Sequence, residues 1–211
     1  MTPQEEEYLL SHSAPEPERL AELYRHTHLT RLYPRMCCEP LQGRLLAMLT
    51  SMIKPRRILE LGAFSGYSTL CFAEAMPPGA QIHTVEIDDE AEQALRALFD
   101  SSPRHADIHL HIGDAAKLIE PLSSAPWDLV YIDANKRHYC EYYQLVKPHM
   151  TAGGYILADN TLWSDHVLDP GCTDPQTEGI RAFNDLVAAD PSAQVVMLPI
   201  YDGLSIIKMK G

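Results

Sequence analysis

Short apolar runs alternate with stretches of helical spacing along most of this chain, and that alternation restricts the fold more than any other feature. Apolar strands are expected at Arg57–Leu61, Gln81–Ile87, Ile108–Ile112, Asp128–Ile132 and Gly154–Ala158. Helices are expected at Ser68–Met76, Glu90–Asp100 and Tyr139–Val146. Strands joined through helices of about ten residues pair in parallel, which implies a doubly wound α/β sheet with helices on both faces. The end of the chain breaks this rhythm. Helix Gly179–Ala189 leads into strand Gln194–Leu198, and the short turn Tyr201-Asp-Gly203 leads straight into Leu204–Met209. So few residues can join only antiparallel strands. The expectation is a mostly parallel seven-stranded sheet closed by an antiparallel C-terminal hairpin.

Three helical stretches precede the first strand, at Gln4–Ser11, Glu16–His28 and Leu41–Ile53. They make residues 1–53 a helical N-terminal extension of one domain whose core spans 54–211. A chain of 211 residues is long enough for one well-buried core and short for two. With 45% hydrophobic and 22% charged residues and no low-complexity tract, a disordered or fibrous reading fails. No apolar run is long enough to span a bilayer, and the acidic start Met1–Ser13 lacks the features of a signal peptide. A cytoplasmic protein with no membrane association is expected. Five cysteines without CxxC spacing agree with that, since they suit neither a disulfide framework nor a zinc site.

The net charge of −12 disfavours nucleic acid as a partner, but the charge is unevenly spread. From Arg19 to Arg57 eight basic residues face two acidic ones, a net +6 that leaves −18 elsewhere. Such a segment can form an anion-binding face, although solvated arginines on amphipathic helices would give the same count.

Ligands of open α/β sheets bind at the carboxyl ends of the strands. The first strand ends Glu60-Leu-Gly62-Ala-Phe-Ser-Gly66-Tyr-Ser68. Two glycines permit a sharp turn and close approach of a ligand. The third glycine of the dinucleotide fingerprint is absent, so a pyrophosphate is poorly accommodated. A zwitterionic amino-acid tail suits the place better, with Ser68 and the helix N-terminus near its carboxylate and Glu60 near its ammonium. Glu86 ends the second strand, where an acid can accept both hydroxyls of a ribose. Asp114 ends the third, where an acid can face an adenine amine.

The fourth strand ends Tyr131-Ile-Asp133-Ala-Asn-Lys136 and the fifth ends Ala158-Asp159-Asn160-Thr-Leu-Trp163. If these strands are neighbours, Asp133, Asp159 and Asn160 converge. Two carboxylates and an amide oxygen form a hard, all-oxygen ligand set suited to Mg²⁺, with Mn²⁺ or Ca²⁺ also accommodated. Asp and Asn at strand ends are also common turn and capping residues, and spacing alone leaves the two readings even. Lys136 could reach the same point as a general base if a nearby cation lowered its pKa.

Together these residues resemble the cation-dependent O-methyltransferases of the catechol and caffeoyl-CoA type. The resemblance runs from about Tyr33 to Lys208 and is carried by Tyr33-Pro-Arg-Met36, Gln42-Gly43, Ile58-Leu-Glu-Leu-Gly62, Gly66-Tyr-Ser68 and Val85-Glu86. It continues through Tyr131-Ile-Asp-Ala-Asn-Lys136, Ala158-Asp-Asn-Thr-Leu-Trp163 and Asp202-Gly203-Leu204. It implies a Rossmann-like class I methyltransferase fold, S-adenosylmethionine as cofactor, and a homodimer. It also implies metal ligation by Asp133, Asp159 and Asn160, and catalysis by Lys136. Glu86 would take the ribose, Glu60, Gly62 and Ser68 the methionine end, and Cys38, Asp114 and Asp133 would lie against the cofactor.

Two positions depart from the animal catechol enzyme. Asn135 stands where an aromatic residue precedes the catalytic lysine, and Ser205 where an acid approaches the second catechol hydroxyl. Trp127 is expected in the core. Any acceptor with vicinal oxygens suits the chemistry. A small catechol-like molecule is the simplest, the 5-hydroxyuridine of a tRNA is a second class to which the +6 segment would be relevant, and a nucleoside-binding protein without turnover is a further alternative.

Overall fold

The computed structural model describes residues 2–211. Three helices come first, α1 (Pro3–Ser11), α2 (Glu18–Thr30) and α3 (Pro40–Ile53). The alternating region follows as β1 (Arg57–Leu61), α4 (Tyr67–Ala75), β2 (Gln81–Glu86), α5 (Glu92–Asp100), β3 (Ile108–Ile112), α6 (Ala115–Leu122), β4 (Trp127–Ile132), α7 (Tyr139–Val146) and β5 (Met150–Asp159). Helix α8 (Pro175–Ala188) and strands β6 (Ala193–Leu198) and β7 (Leu204–Met209) complete the chain. The seven strands are ordered β3-β2-β1-β4-β5-β7-β6. The first five are parallel, and β7 runs antiparallel to both β5 and β6.

Alternation along the strands builds the two layers of core. Ile58, Ile82, Leu129, Tyr131 and Leu157 face the side covered by Leu20 of α2, Leu46 of α3 and Leu70 and Phe72 of α4. Their neighbours Leu59, Val85, Val130, Ile132 and Ile156 face Ile119 of α6, Tyr139, Tyr143 and Val146 of α7, and Phe183 of α8. Trp127 is fully buried in this second layer, with the Arg57 guanidinium 4.0 Å from its ring centre. Because the central strands β1 and β4 are covered on both faces, water reaches them mainly at strand ends.

The structure adds elements that the pattern does not announce. Helix α6 was not anticipated, because Pro121 in its last turn and the following Ser-Ser-Ala-Pro resemble a loop. Strand β5 begins four residues before Gly154, through a Thr-Ala-Gly-Gly stretch with the composition of a turn. Helix α8 also begins earlier, at Pro175, because the Asp174 side chain caps it by accepting from the backbone N–H groups of Gln176 and Thr177. Among the described residues no helix is long and apolar enough to cross a membrane.

Two glycines show what the first strand end demands. Gly62 and Gly79 both have positive φ, +101° and +77°. A Cβ on Gly62 would overlap the carbonyl oxygen of Asp133, whereas one on Gly79 would meet nothing within 4 Å. Gly79→Ala should therefore carry the backbone penalty alone, and Gly62→Ala the same penalty plus overpacking, roughly 1–3 kcal/mol more. Urea unfolding of the two variants checks this; equal destabilisation would mean that β1 and β4 do not meet as described.

Candidate active site

A cavity of about 1020 Å³ opens at the carboxyl ends of the parallel strands. Each strand contributes to its wall through the loop that follows it. Gly62 and Phe64 come from after β1, Glu86 and Ile87 from the end of β2, and Gly113 and Ala115 from after β3. Asp133, Asn135 and Lys136 follow β4, and Asp159, Asn160 and Trp163 follow β5. The N-terminal extension closes another side with Tyr33, Arg35, Met36, Cys38 and Gln42, while Tyr201 of the last turn meets Glu6 of α1 through a 2.6 Å hydrogen bond.

At one end of the cavity Glu86 is nearly buried, with each carboxylate oxygen accepting a backbone N–H. Phe64 donates to Oε2 at 2.7 Å and Asp88 to Oε1 at 2.9 Å. An ionised carboxylate has about four acceptor positions, so two remain for a ligand carrying adjacent hydroxyls. The glycine turn that brings Phe64 there is held from below. Glu60 is fully buried and accepts hydrogen bonds from Ser68 and Thr84, both at 2.6 Å, and from Thr69. Burial pushes its carboxyl up to about 7 against the opposing effect of those hydroxyls.

Glu60 and Ser68 thus face each other under the turn and do not line the cavity. Strand β1 points its even-numbered side chains into the α4 layer, where Glu60 ties β1, β2 and α4 together. The structure places both residues beneath the glycine turn, where their hydrogen bonds help to shape it. Asp114 caps α6, accepting from the Ala116 N–H at 3.1 Å, while its neighbours Gly113 and Ala115 line the wall. Cys38 lies on the wall with its thiol pushed well above the usual range by burial.

At the other end, parallel pairing of β4 with β5 carries Asp133 and Asp159 to adjacent strand ends. The buried Tyr139 hydroxyl ties those ends, donating within reach of both the Ile132 and Asp159 carbonyl oxygens at 3.2 and 3.1 Å. Asp159 is almost wholly enclosed, and its Oδ2 accepts from Gln42 Nε2 at 2.7 Å and Tyr131 OH at 2.8 Å. Burial and the nearby Asp133 carboxylate hold the Asp159 carboxyl well above the ordinary range. Lys136 Nζ lies 2.7 Å from Asp133 Oδ1, with only 12% of its side chain exposed, and 5.9 Å from the Trp163 ring centre. Asn160 follows Asp159 and lines the same wall of the cavity, and among the described residues no three His, Cys, Asp or Glu side chains converge as a metal cluster.

Backbone strain gathers at this end. Asn160, Trp163, Ser164, Asp165 and Tyr201 all have φ between +46° and +62° without being glycine. Such conformations cost of order 1–3 kcal/mol each and persist only where surrounding contacts impose them. Here Thr161 N–H donates to Gly203 O at 3.0 Å, Leu162 N–H to Asp202 O at 2.7 Å, and Asn184 Nδ2 to Thr161 O at 2.8 Å. Sequence reading had no access to this clustering, nor to Tyr139 and Tyr131, whose roles depend on strand pairing. Ser205 lies on β7 with its hydroxyl 3.1 Å from Thr161 Oγ1 and does not line the cavity.

Residues 10–210 match the O-methyltransferase family model, and the chain belongs to that family. It is 30% identical to a catechol O-methyltransferase of Niastella koreensis over 84% of each chain. It is also 30% identical to a caffeoyl-CoA O-methyltransferase of Stellaria longipes, over 90% of this chain and 83% of that one. An O-methyltransferase of Bacillus cereus, solved in complex with SAH, superposes with a TM-score of 0.91 at 26% identity, covering 98% of this chain and 97% of that one. The chain is therefore an O-methyltransferase with the Rossmann-like fold of class I methyltransferases.

The Tyr139 tie is directly testable. Tyr139→Phe should keep the fold and lose about 1 kcal/mol, the net worth of one buried hydrogen bond, in chemical denaturation. Unchanged stability would mean that the strand ends are held by their ladder alone.

Proposed function

We propose that this protein transfers the methyl group of S-adenosylmethionine to one oxygen of a small acceptor carrying two neighbouring oxygens, with a catechol as the simplest case, and that the reaction uses a divalent cation. One observation carries the reading: a single cavity joins Glu86, with acceptor positions to spare, to Asp133, Asp159, Asn160 and Lys136 at its other end. The bound product in the Bacillus cereus relative supports the choice of cofactor, and the names of the catechol and caffeoyl-CoA relatives support the acceptor class.

The acidic end fits a hard cation. Burial and repulsion between the two acids both raise the Asp159 carboxyl, and among the described residues the ammonium of Lys136 is the positive charge that opposes this. A divalent cation held by Asp133, Asp159 and Asn160 would supply charge that lowers the pKa of an acceptor hydroxyl and favours Mg²⁺ by its all-oxygen donors. Glu86 binds the ribose hydroxyls, and the glycine turn admits the methionine portion beside Asp133. Trp163 and the strained Asn160–Asp165 segment border the acceptor and exclude water from one side. Lys136 takes the hydroxyl proton at Nζ as the neutral amine, for which its ammonium must first leave Asp133 and release one proton to water, because an ammonium has no lone pair. The acceptor oxygen then attacks the methyl carbon, the carbon–sulfur bond breaks, and its electron pair stays on sulfur as the neutral thioether.

The basic segment favours a small acceptor over tRNA. Three of its eight cations are engaged within the chain: Arg19 donates to Leu98 O of α5 and to Ser101 O just beyond it, Arg44 to Cys71 Sγ, and Arg57 to Leu122 O. Fewer remain to neutralise phosphates than the count of charges suggests.

Incubation with S-adenosylmethionine, Mg²⁺ and catechol, read by mass spectrometry, should give the monomethyl ether. EDTA should abolish turnover, and resorcinol, whose oxygens are not vicinal, should be a poor acceptor. Lys136→Ala should lower kcat by about 10²–10⁴ while leaving cofactor affinity intact. Turnover that survives EDTA, or equal use of the two diphenols, would refute the cation reading. Methylation of a hydroxyuridine tRNA with steep salt dependence, and no turnover of catechol, would refute the acceptor.

A further inference from the structure

We propose that Gln42, acting with Tyr131, is a positioning residue that locks Asp159 so that only its Oδ1 is available to a divalent cation. The inference rests on the cation reading above and concerns how one ligand is aimed.

Gln42 is 3% exposed and belongs to α3, in the helical extension before the sheet begins. Its Nε2 donates to Asp159 Oδ2 at 2.7 Å, and Tyr131 OH donates to the same oxygen at 2.8 Å. An ionised carboxylate oxygen has two good acceptor directions, so Oδ2 is filled from two separate elements. Oδ1 accepts one hydrogen bond, from the backbone N–H of Asn160 at 2.8 Å. One acceptor position is left on the carboxylate, and it is on Oδ1. Three donors from three elements also remove the freedom of the side chain to swing both oxygens toward the cavity.

The reach of Gln42 depends on the residue beside it. A Cβ on Gly43 would lie 2.8 Å from Tyr67 Cε1 and 2.9 Å from Cys71 Sγ, so the glycine lets α3 press against α4 and bring the amide to Asp159. The extension thus does more than roof the cavity, because it touches a ligand 117 residues away in sequence. Monodentate ligation matters for the choice of cation. Mg²⁺ and Mn²⁺ sites favour compact six-fold geometry, whereas Ca²⁺ accepts bidentate carboxylates and higher coordination. A carboxylate locked to one oxygen disfavours Ca²⁺ and keeps positions open for an acceptor.

The test measures metal binding by the protein itself, without turnover. Mn²⁺ and Ca²⁺ dissociation constants are determined by calorimetry for wild type, Gln42→Met and Tyr131→Phe, with SAH affinity and thermal unfolding followed in parallel. Each variant should bind Mn²⁺ about ten-fold more weakly, the usual effect of removing a partner that orients a metal ligand. Ca²⁺ should be weakened less, so the preference shifts toward it, while SAH affinity stays constant. A purely structural amide would lower the melting temperature without moving the ratio of the two ions, and that result would overturn the proposal. Unchanged Mn²⁺ affinity in folded Tyr131→Phe would overturn it as well, even if Gln42→Met fails to fold. A wild type that binds SAH but neither cation would overturn the cation reading beneath it.

Discussion

The parallel pairing of β4 with β5 is the constraint on which the rest of the site depends. It sets Ile132 beside Ala158, so that the residues following them, Asp133 and Asp159, emerge together at one end of the sheet. Two carboxylates enclosed at such a place repel each other, and the fold tolerates them only because other groups take up their charge. Lys136 answers Asp133, while Gln42 and Tyr131 answer Asp159. A site built this way is held under electrostatic tension by ladder hydrogen bonds and by the Tyr139 hydroxyl beneath it.

Strain is distributed in the same manner. The loop after β5 keeps Asn160, Trp163, Ser164 and Asp165 in left-handed conformations because the turn before β7 grips it through Asp202 and Gly203. That grip requires an antiparallel β7 immediately next to β5. The reversal of direction near the end of the chain is thereby connected to the site, since a further parallel strand would enter from the opposite end and bring no turn to this loop. On the other side of the sheet centre, Glu60 performs a comparable task with hydrogen bonds, fastening the glycine turn so that Phe64 can meet Glu86.

Much of this was legible in the sequence because strand ends follow from hydrophobic alternation, and in a doubly wound sheet strand ends are where ligands bind. Gly62, Glu86, Asp133, Asp159, Asn160 and Lys136 could be placed on one rim by that rule, and all six line the cavity. Which way a side chain points was harder to read. Glu60 sits one residue from the strand terminus and faces the α4 layer, where it accepts hydrogen bonds from three hydroxyls and does not line the cavity. Gln42 was visible only as part of a motif, because its partner lies on a strand far along the chain. The left-handed loop was invisible for another reason, since nothing in Asn-Thr-Leu-Trp-Ser-Asp demands positive φ, and the conformation is imposed from outside. Helix α6 was hidden by a proline that a last helical turn can accommodate.

The central claim is that the ends of β4 and β5 form a cation site adjoining a nucleoside site. A crystal grown with Mn²⁺ and SAH, with data collected at the manganese edge, tests both halves at once. The account predicts one strong anomalous peak among the side-chain oxygens of Asp133, Asp159 and Asn160, with the ribose hydroxyls of SAH on Glu86. An ordered SAH with no manganese peak at that point, or with the ribose away from Glu86, would contradict it.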